Sequence, residues 1–278
     1  MTKLIGQLLY LKVCVANFII YCCFSFHCET TKSQFLKLMF YSLTFYGGIM
    51  KFLVISDLHG NIDVLEKLDF EFNNVDGVLF AGDFAECFNI PTGKPALEAL
   101  CKKHEVIFSV LGNCDEPSFV EELDDKDINV EKSLVYHHGI AIVGAGGGTK
   151  FTGKTPNERE ESEIISDFNI LNTSESDIQG SNEWDNLIII SHNPPKDTKC
   201  DAVNESLHAG SELFRNLIEE KQPLAVVCGH IHEGRGVDSI GKTTVINPGP
   251  LCEGFYAILN ICVENDNYKI ESVELKQI

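Results

Sequence analysis

Asp57 and His59 stand two residues apart, directly after the apolar run Phe52-Leu-Val-Ile55. A carboxylate and an imidazole released together at the end of such a run are donor types that hold a divalent ion. The arrangement recurs along the chain. Val78-Leu-Phe-Ala81 leads to Gly82-Asp83, and Val106-Ile-Phe-Ser-Val-Leu111 leads to Gly112-Asn113-Cys114-Asp115. Leu187-Ile-Ile-Ile190 leads to Ser191-His192, and Leu224-Ala-Val-Val-Cys228 leads to Gly229-His230-Ile231-His232. Taken singly, each is no more than a polar residue closing a strand. Five in order, delivering two Asp, one Asn and four His, point to one shared metal site.

Short, unbroken runs rich in Val, Ile and Phe suit strands buried on both faces of a parallel sheet. Open α/β sheets bind their ligands in the crevice outside the carboxyl ends of such strands. Helical spacing of apolar residues over Ile62 to Phe72, and Pro near the start of Pro95 to His104 and Pro117 to Leu123, predict helices between the strands. Ala209 to Lys221 predicts another, and Pro156 to about Leu171 an acidic one. Leu134 to Tyr136, Ile140 to Gly144, Thr243 to Asn247, Phe255 to Val263 and Tyr268 to Leu275 are strand-like with short joins, predicting a second, more antiparallel sheet packed on the first. Gly144-Ala-Gly-Gly-Gly148-Thr149 is either a flexible turn or a loop whose backbone N–H groups approach a phosphate. Thr173 to Asn186 is polar and predicts a surface loop.

A chain of 278 residues with 44% hydrophobic content can bury a full core. Its net charge of -19 excludes nonspecific nucleic-acid binding, which needs Lys and Arg to neutralise phosphates. A small anionic substrate then depends on local positive charge, which bound metal ions supply. The eleven Cys are an odd number without a Cys-x-x-Cys pair. That pattern suits a reduced interior better than a disulfide framework, with Cys87, Cys101, Cys228 and Cys262 as small core residues. His104, His137, His138 and His208 lack the strand-end pattern and are expected to be structural.

Residues 1–49 differ from the rest, with Lys3, Lys12, Lys32 and Lys37 against the single acid Glu29. Val13 to Phe26 is apolar but short for a membrane span. A membrane anchor, a cleaved signal and sequence upstream of a start at Met50 are the three readings. The last is favoured, because Met50 stands directly before the first strand, and it makes residues 50–278 one cytoplasmic domain. A membrane partner enters only if residues 1–49 act as an anchor.

The series Asp57-x-His59, Gly82-Asp83, Gly112-Asn113-x-Asp115, His192 and Gly229-His230-x-His232 resembles that of the calcineurin-like metallophosphoesterases, in the right order over residues 51–250. The resemblance implies an α/β fold, a four-layer α/β/β/α sandwich of two mixed sheets. It also implies two divalent transition metal ions, Mn first, with Ni, Fe or Zn as alternatives. Asp57, His59 and His232 would hold one ion, Asn113, His192 and His230 the other, and Asp83 would bridge them. The implied activity is phosphoester hydrolysis by in-line attack of a metal-bridging hydroxide, with Asp83, Asn113, Cys114 and Asp115 as the catalytic set.

Many family members carry a His where this chain has Cys114. The Gly-Asn-Cys-Asp sequence resembles a smaller branch whose members act on phosphodiesters, and a small phosphodiester is therefore the expected substrate. Asn61, Asn113, Cys114 and Gly249 are the expected substrate-side residues. Asn61 could instead cap the helix after it, Asp115 could orient the site or cap a helix, and Asn247-Pro248-Gly249-Pro250 could be a plain turn. A non-catalytic metal-binding scaffold on the same fold is the alternative function; the presence of all seven ligands argues against it.

Overall fold

The computed structural model describes residues 48–151, 153–172, 184–264 and 267–278. The chain divides into two compact units, Met1–Gly48 and Ile49–Ile278. The first lies almost wholly outside the described residues, and with it the three readings of residues 1–49. Much of the polar stretch from Thr173 to Asn186 lies outside them too. Among the described residues no helix is long and apolar enough to cross a membrane.

The chain forms strands β1 (Gly48–Ile55), β2 (Gly77–Phe80), β3 (Ile107–Ser109), β4 (Val135–His137), β5 (Ile140–Ala145), β6 (Gly148–Thr149), β7 (Glu158–Arg159) and β8 (Leu187–Ser191). Then follow β9 (Ala202–Asn204), β10 (Leu207–His208), β11 (Ala225–Val227), β12 (Gly236–Ile240), β13 (Thr243–Asn247), β14 (Phe255–Glu264) and β15 (Asn267–Gln277). One sheet has the order β15-β14-β1-β2-β3 and the other β12-β13-β11-β8-β5-β4, with β10-β9 and β6-β7 as two-stranded additions. Both large sheets are mixed. β1, β2 and β3 pair in parallel beside the antiparallel β14–β15 hairpin. In the other, β5, β8, β11 and β13 run parallel between antiparallel edges β4 and β12.

Strand alternation sorts the side chains into layers. Leu53, Ile55, Val78 and Phe80 point into a core shared with Leu65, Leu68 and Phe72 and with Ala96, Leu97 and Leu100 of α3 (Gly93–Cys101). Val143, Leu187, Ile189 and Val226 point the other way in the second sheet, against Ile164 of α5 (Glu161–Ser166) and Phe214 and Ile218 of α6 (Glu212–Lys221). The alternate residues, Phe52, Val54, Leu79, Ile142, Ile188 and Ile190, are also fully buried. The two sheets cover them by packing face to face: His137 on β4 meets the rings of Phe52 on β1 and Phe108 on β3 at 6.3 and 5.5 Å. The result is the expected four-layer sandwich.

Several expectations need correction. β1 begins at Gly48, and Met50 lies inside it, 2% exposed, rather than before it. β14 and β15 belong to the first sheet, because β14 lies beside β1, so the second sheet is mainly parallel at its centre. Ile62 to Phe72 is two short helices, α1 (Asp63–Glu66) and α2 (Asp69–Phe72), broken at Leu68, whose φ of -103° leaves the helical region. Pro117 opens a 3-10 turn before α4 (Val120–Asp125). The stretch from Pro156 is not one helix: Glu158 and Arg159 form β7, and α5 is followed by a 3-10 segment, Asp167–Asn172.

Candidate metal centre

The first four of these polar stretches leave β1, β2, the β3 extension and β8, and the fifth leaves β11. Four positions reach the site through a left-handed backbone: Asp57 (φ 55°), His59 (φ 45°), Asp83 (φ 61°) and His230 (φ 69°). Such strain in non-glycine residues persists where the surroundings fix it, and it clusters at functional sites. Backbone bonds tie the first two turns together, with Asp57 N donating to Gly82 O, and Leu58 N and His59 N to Asp83 O, at 2.9–3.0 Å. Gly82 and Gly112 are where the second and third turns touch. A side chain on Gly112 would land on Asp83 Oδ1, and one on Gly82 (φ 94°) would meet the Gly112 backbone at 2.6 Å.

The structure brings the expected donors together. Asp57, His59 and His232 form one group and Asp57, Asp83 and His192 another, with one donor atom from each residue within 4.8 Å of the others in its group. His192 Nε2 lies 2.9 Å from Asn113 Oδ1 and 3.5 Å from Asp83 Oδ2. His59 Nε2 lies 3.7 Å from Asp83 Oδ2, and His232 Nε2 3.5 Å from Asp57 Oδ1. The His230 ring stands 5.1 Å from that of His192. His230 N also donates to Asp57 at 3.2 Å, so the bend that separates His230 from His232 is fastened to the first carboxylate.

Burial and close neighbours shift the titration of the clustered groups in opposite directions. Burial, then the neighbouring charges of Asp115 and Asp57, hold the Asp83 carboxyl well above the usual carboxylate range. Burial also works to raise Asp57, but the hydrogen bond to His232 and the charges of His192, His232 and His59 prevail and hold it below that range. Burial pushes the His230 imidazole down to about 3, so it stands neutral with a lone pair to give. The hydrogen bond to Asp57 raises His232.

The donor set fits divalent transition ions. His59 Nδ1 lies 3.1 Å from Ala85 O and His192 Nδ1 2.7 Å from Ala81 O. A carbonyl on Nδ1 fixes the proton there and turns the Nε2 lone pair into the cradle, the usual outer support of a metal-bound His. Buried carboxylates beside imidazoles and an amide oxygen complete a hard-to-borderline set.

The calcineurin-like phosphoesterase family model matches residues 50–234, two thirds of the chain and the whole span of these donors. The chain belongs to the calcineurin-like phosphoesterases. An uncharacterized protein of Methanocaldococcus jannaschii is 34% identical over 209 residues, covering 72% of this chain and 88% of its own. Among solved structures, TT1561 of Thermus thermophilus shares the fold with a TM-score of 0.56 at 15% identity, over 83% of this chain and 99% of its own. A 5'-nucleotidase of Candida albicans does so with a TM-score of 0.52 at 14% identity, over 78% of this chain and 48% of its own. With the family comes its coarse activity, metal-dependent hydrolysis of phosphoesters.

In this calcineurin-like phosphoesterase the other expected site residues stand around the cradle in different roles. Asp115 does not face the donors. Its Oδ2 accepts from Asp83 N, Phe84 N and Gly112 N, and its Oδ1 from Ala85 N, at 2.8–3.2 Å. It is a positioning residue, and it caps no helix, since Glu116 precedes the Pro117 turn. Asn61 likewise does not cap α1; its Nδ2 donates to Cys252 O at 2.9 Å. Gly249 (φ 83°) lies under Arg235, whose Cδ would stand 2.7 Å from a Cβ there, and Arg235 stacks on Phe255 at 4.7 Å.

Cys87 corrects an expectation. It is no core residue but is paired with Cys114 in a disulfide, and the two sulfurs form a third donor group with His59 and Asp83. Its only signal in the sequence was its place four residues after Asp83. Two asparagines also carried little signal. Asn157 donates from Nδ2 to Gly112 O at 3.0 Å and from its backbone N to Asn113 O at 3.1 Å. Asn247 Nδ2 donates to Ile231 O at 2.8 Å and Cys200 O at 3.1 Å, pinning the turn that carries His230 and His232.

Proposed function

We propose that this protein is a metal-dependent phosphodiesterase that uses two divalent ions. Asp57, His59 and His232 would hold one, Asn113, His192 and His230 the other, with Asp83 between them. The observation that carries the reading is the convergence of these seven side chains, with Asp57 and Asp83 at its centre. Bound there, two such ions activate water and offset charge on a phosphoryl group, with Mn the leading candidate. The chain's own part is orientation: carbonyls 81 and 85 aim two imidazoles, and Asp115 sets the turns that present Asp83 and Asn113.

The preference for diesters rests on position 114. Tied to Cys87, Cys114 has no S–H to donate, and even a free thiol is a weak donor. With no proton donor at that place, esters with good leaving groups are favoured. A cavity of about 540 Å³ opens beside Asn113 and His230, walled by Phe151, Leu207, Lys150 and Lys196, with room for an organic ester group.

The test is turnover of an aryl phosphodiester against an alkyl phosphomonoester, on chelated protein reloaded separately with Mn, Ni, Fe or Zn. Faster diester hydrolysis that vanishes on chelation is expected. Equal or faster hydrolysis of the monoester would remove the diester preference, and activity indifferent to chelation would remove the metal mechanism.

A further inference from the structure

The third donor group differs in kind from the other two. His59, Asp83, Cys87 and Cys114 place one nitrogen, one oxygen and two sulfurs within 4.8 Å of one another. Four donors of a tetrahedral ion stand roughly 3.3–3.8 Å apart, given bonds of about 2.0–2.3 Å, so the two sulfurs must part and the nitrogen and oxygen close in for all four to hold one ion. The sulfurs are joined here, with Cα atoms 4.8 Å apart. That spacing is ordinary for a disulfide. Cys114 is bound into the cradle: its N donates to Asp83 Oδ1 at 2.8 Å, and Asn113 Nδ2 lies 3.4 Å from its Sγ. Cys114 is wholly buried, whereas Cys87 is partly exposed, so Cys87 is the residue of the pair that solvent meets.

We infer that Cys87 and Cys114 are a thiol–disulfide exchange site that sets which metal the cradle accepts. Oxidised, the cradle presents oxygen and nitrogen, because a disulfide sulfur is a poor donor. Reduced, it gains a further site in which both cysteine sulfurs, His59 Nε2 and an Asp83 oxygen take one thiophilic divalent ion such as zinc or cadmium. The exchange balances with glutathione as co-reactant. One glutathione thiolate attacks Cys87 Sγ, the S–S bond breaks, and its electron pair leaves on Cys114 Sγ, which takes a proton. A second glutathione thiolate attacks the mixed disulfide, freeing Cys87 as the thiol and releasing oxidised glutathione. The incoming ion displaces one proton from each thiol to solvent. Since His59 and Asp83 serve both arrangements, a thiophilic ion held this way displaces the ion those residues would otherwise share. The inference does not depend on which phosphoester the protein hydrolyses.

The experiment equilibrates metal-free, full-length protein at set ratios of reduced to oxidised glutathione, quenches in acid, alkylates, and maps the Cys87–Cys114 cross-link by mass spectrometry. The cross-link should come and go reversibly with the ratio. Cadmium added to each form reads the second half, through its affinity and the ultraviolet sulfur-to-cadmium band. The reduced form should bind at least about tenfold tighter and show the band, as expected when ligands are added to a site. Cys87→Ser, or Cys87→Ala if the serine does not fold, should bind cadmium equally under both conditions. No cross-link at any ratio, equal cadmium affinity in both forms, or a redox-dependent affinity surviving in the Cys87 variant would each overturn the inference.

Discussion

At the scale of single residues, Asp83 carries the clearest conflict between stability and activity. Its carboxyl is 2% exposed, beside Asp57 and Asp115, and burial with their charge drives it towards the protonated form. Without a cation, ionising it at neutral pH costs the fold energy. Asp83→Asn keeps an oxygen to accept from Cys114 N and removes that charge, so the metal-free variant should melt above metal-free wild type in calorimetry at pH 7. Its metal-dependent turnover should meanwhile fall by more than about 100-fold, since no anion remains between the ions. A variant that keeps near-wild-type turnover, with metal content verified, would sink the bridging role. His59→Ala should lose turnover to a similar degree without that stability gain, because it removes one ligand and no buried charge.

At the scale of elements, the site depends on turns more than on strands, and two side chains hold them. Asp115 accepts four backbone N–H groups from the turns after β2 and β3. Asp115→Ala strands them in a buried place, at roughly 1–3 kcal/mol for each left unsatisfied, so a urea titration should show a loss above about 3 kcal/mol. Asn247→Ala frees the His230–His232 turn instead. It should weaken metal affinity by about 10–100-fold by equilibrium dialysis while costing the fold less, because only side-chain donors to three carbonyls and one acceptor are lost. The strand ends were legible in the sequence because an apolar run stopping on Asp, Asn or His signals both strand and donor. The segment from Pro156 was not, because its first turn is recruited by distant groups: Asn157 to the Asn113 turn, and Arg159 to Asp167 and Gly146 O. Cys87 stayed hidden for the same reason, since a partner 27 residues away leaves no local pattern.

At the scale of the whole molecule, the apolar patterning of each strand revealed two buried faces but not which sheet an edge hairpin joins; β14 pairs next to β1 through contacts that no local period encodes. The seam between the sheets carries a buried carboxyl whose effect should be global. Glu131, on the path from the first sheet to the second, accepts from Leu111 N at 2.7 Å and forms a bridge with Gly144 of β5. Burial pushes its carboxyl up to about 7 from 4.5, with Asp167 adding to the rise and the Leu111 N–H, Arg159 and Lys132 opposing it. The folded protein therefore holds this proton over a range where the unfolded chain has released it. Stability from Glu131 is fully present below pH 4.5 and is lost as pH rises to about 7, with little further change above. From the size of that rise the loss should be on the order of 3 kcal/mol. Glu131→Gln keeps an acceptor for Leu111 N and cannot ionise, so it should unfold at higher urea than wild type at pH 8 and near the same concentration at pH 4.5. If the two midpoints differ equally at both pH values, Glu131 does not titrate at the seam, and the drop between them belongs to another group.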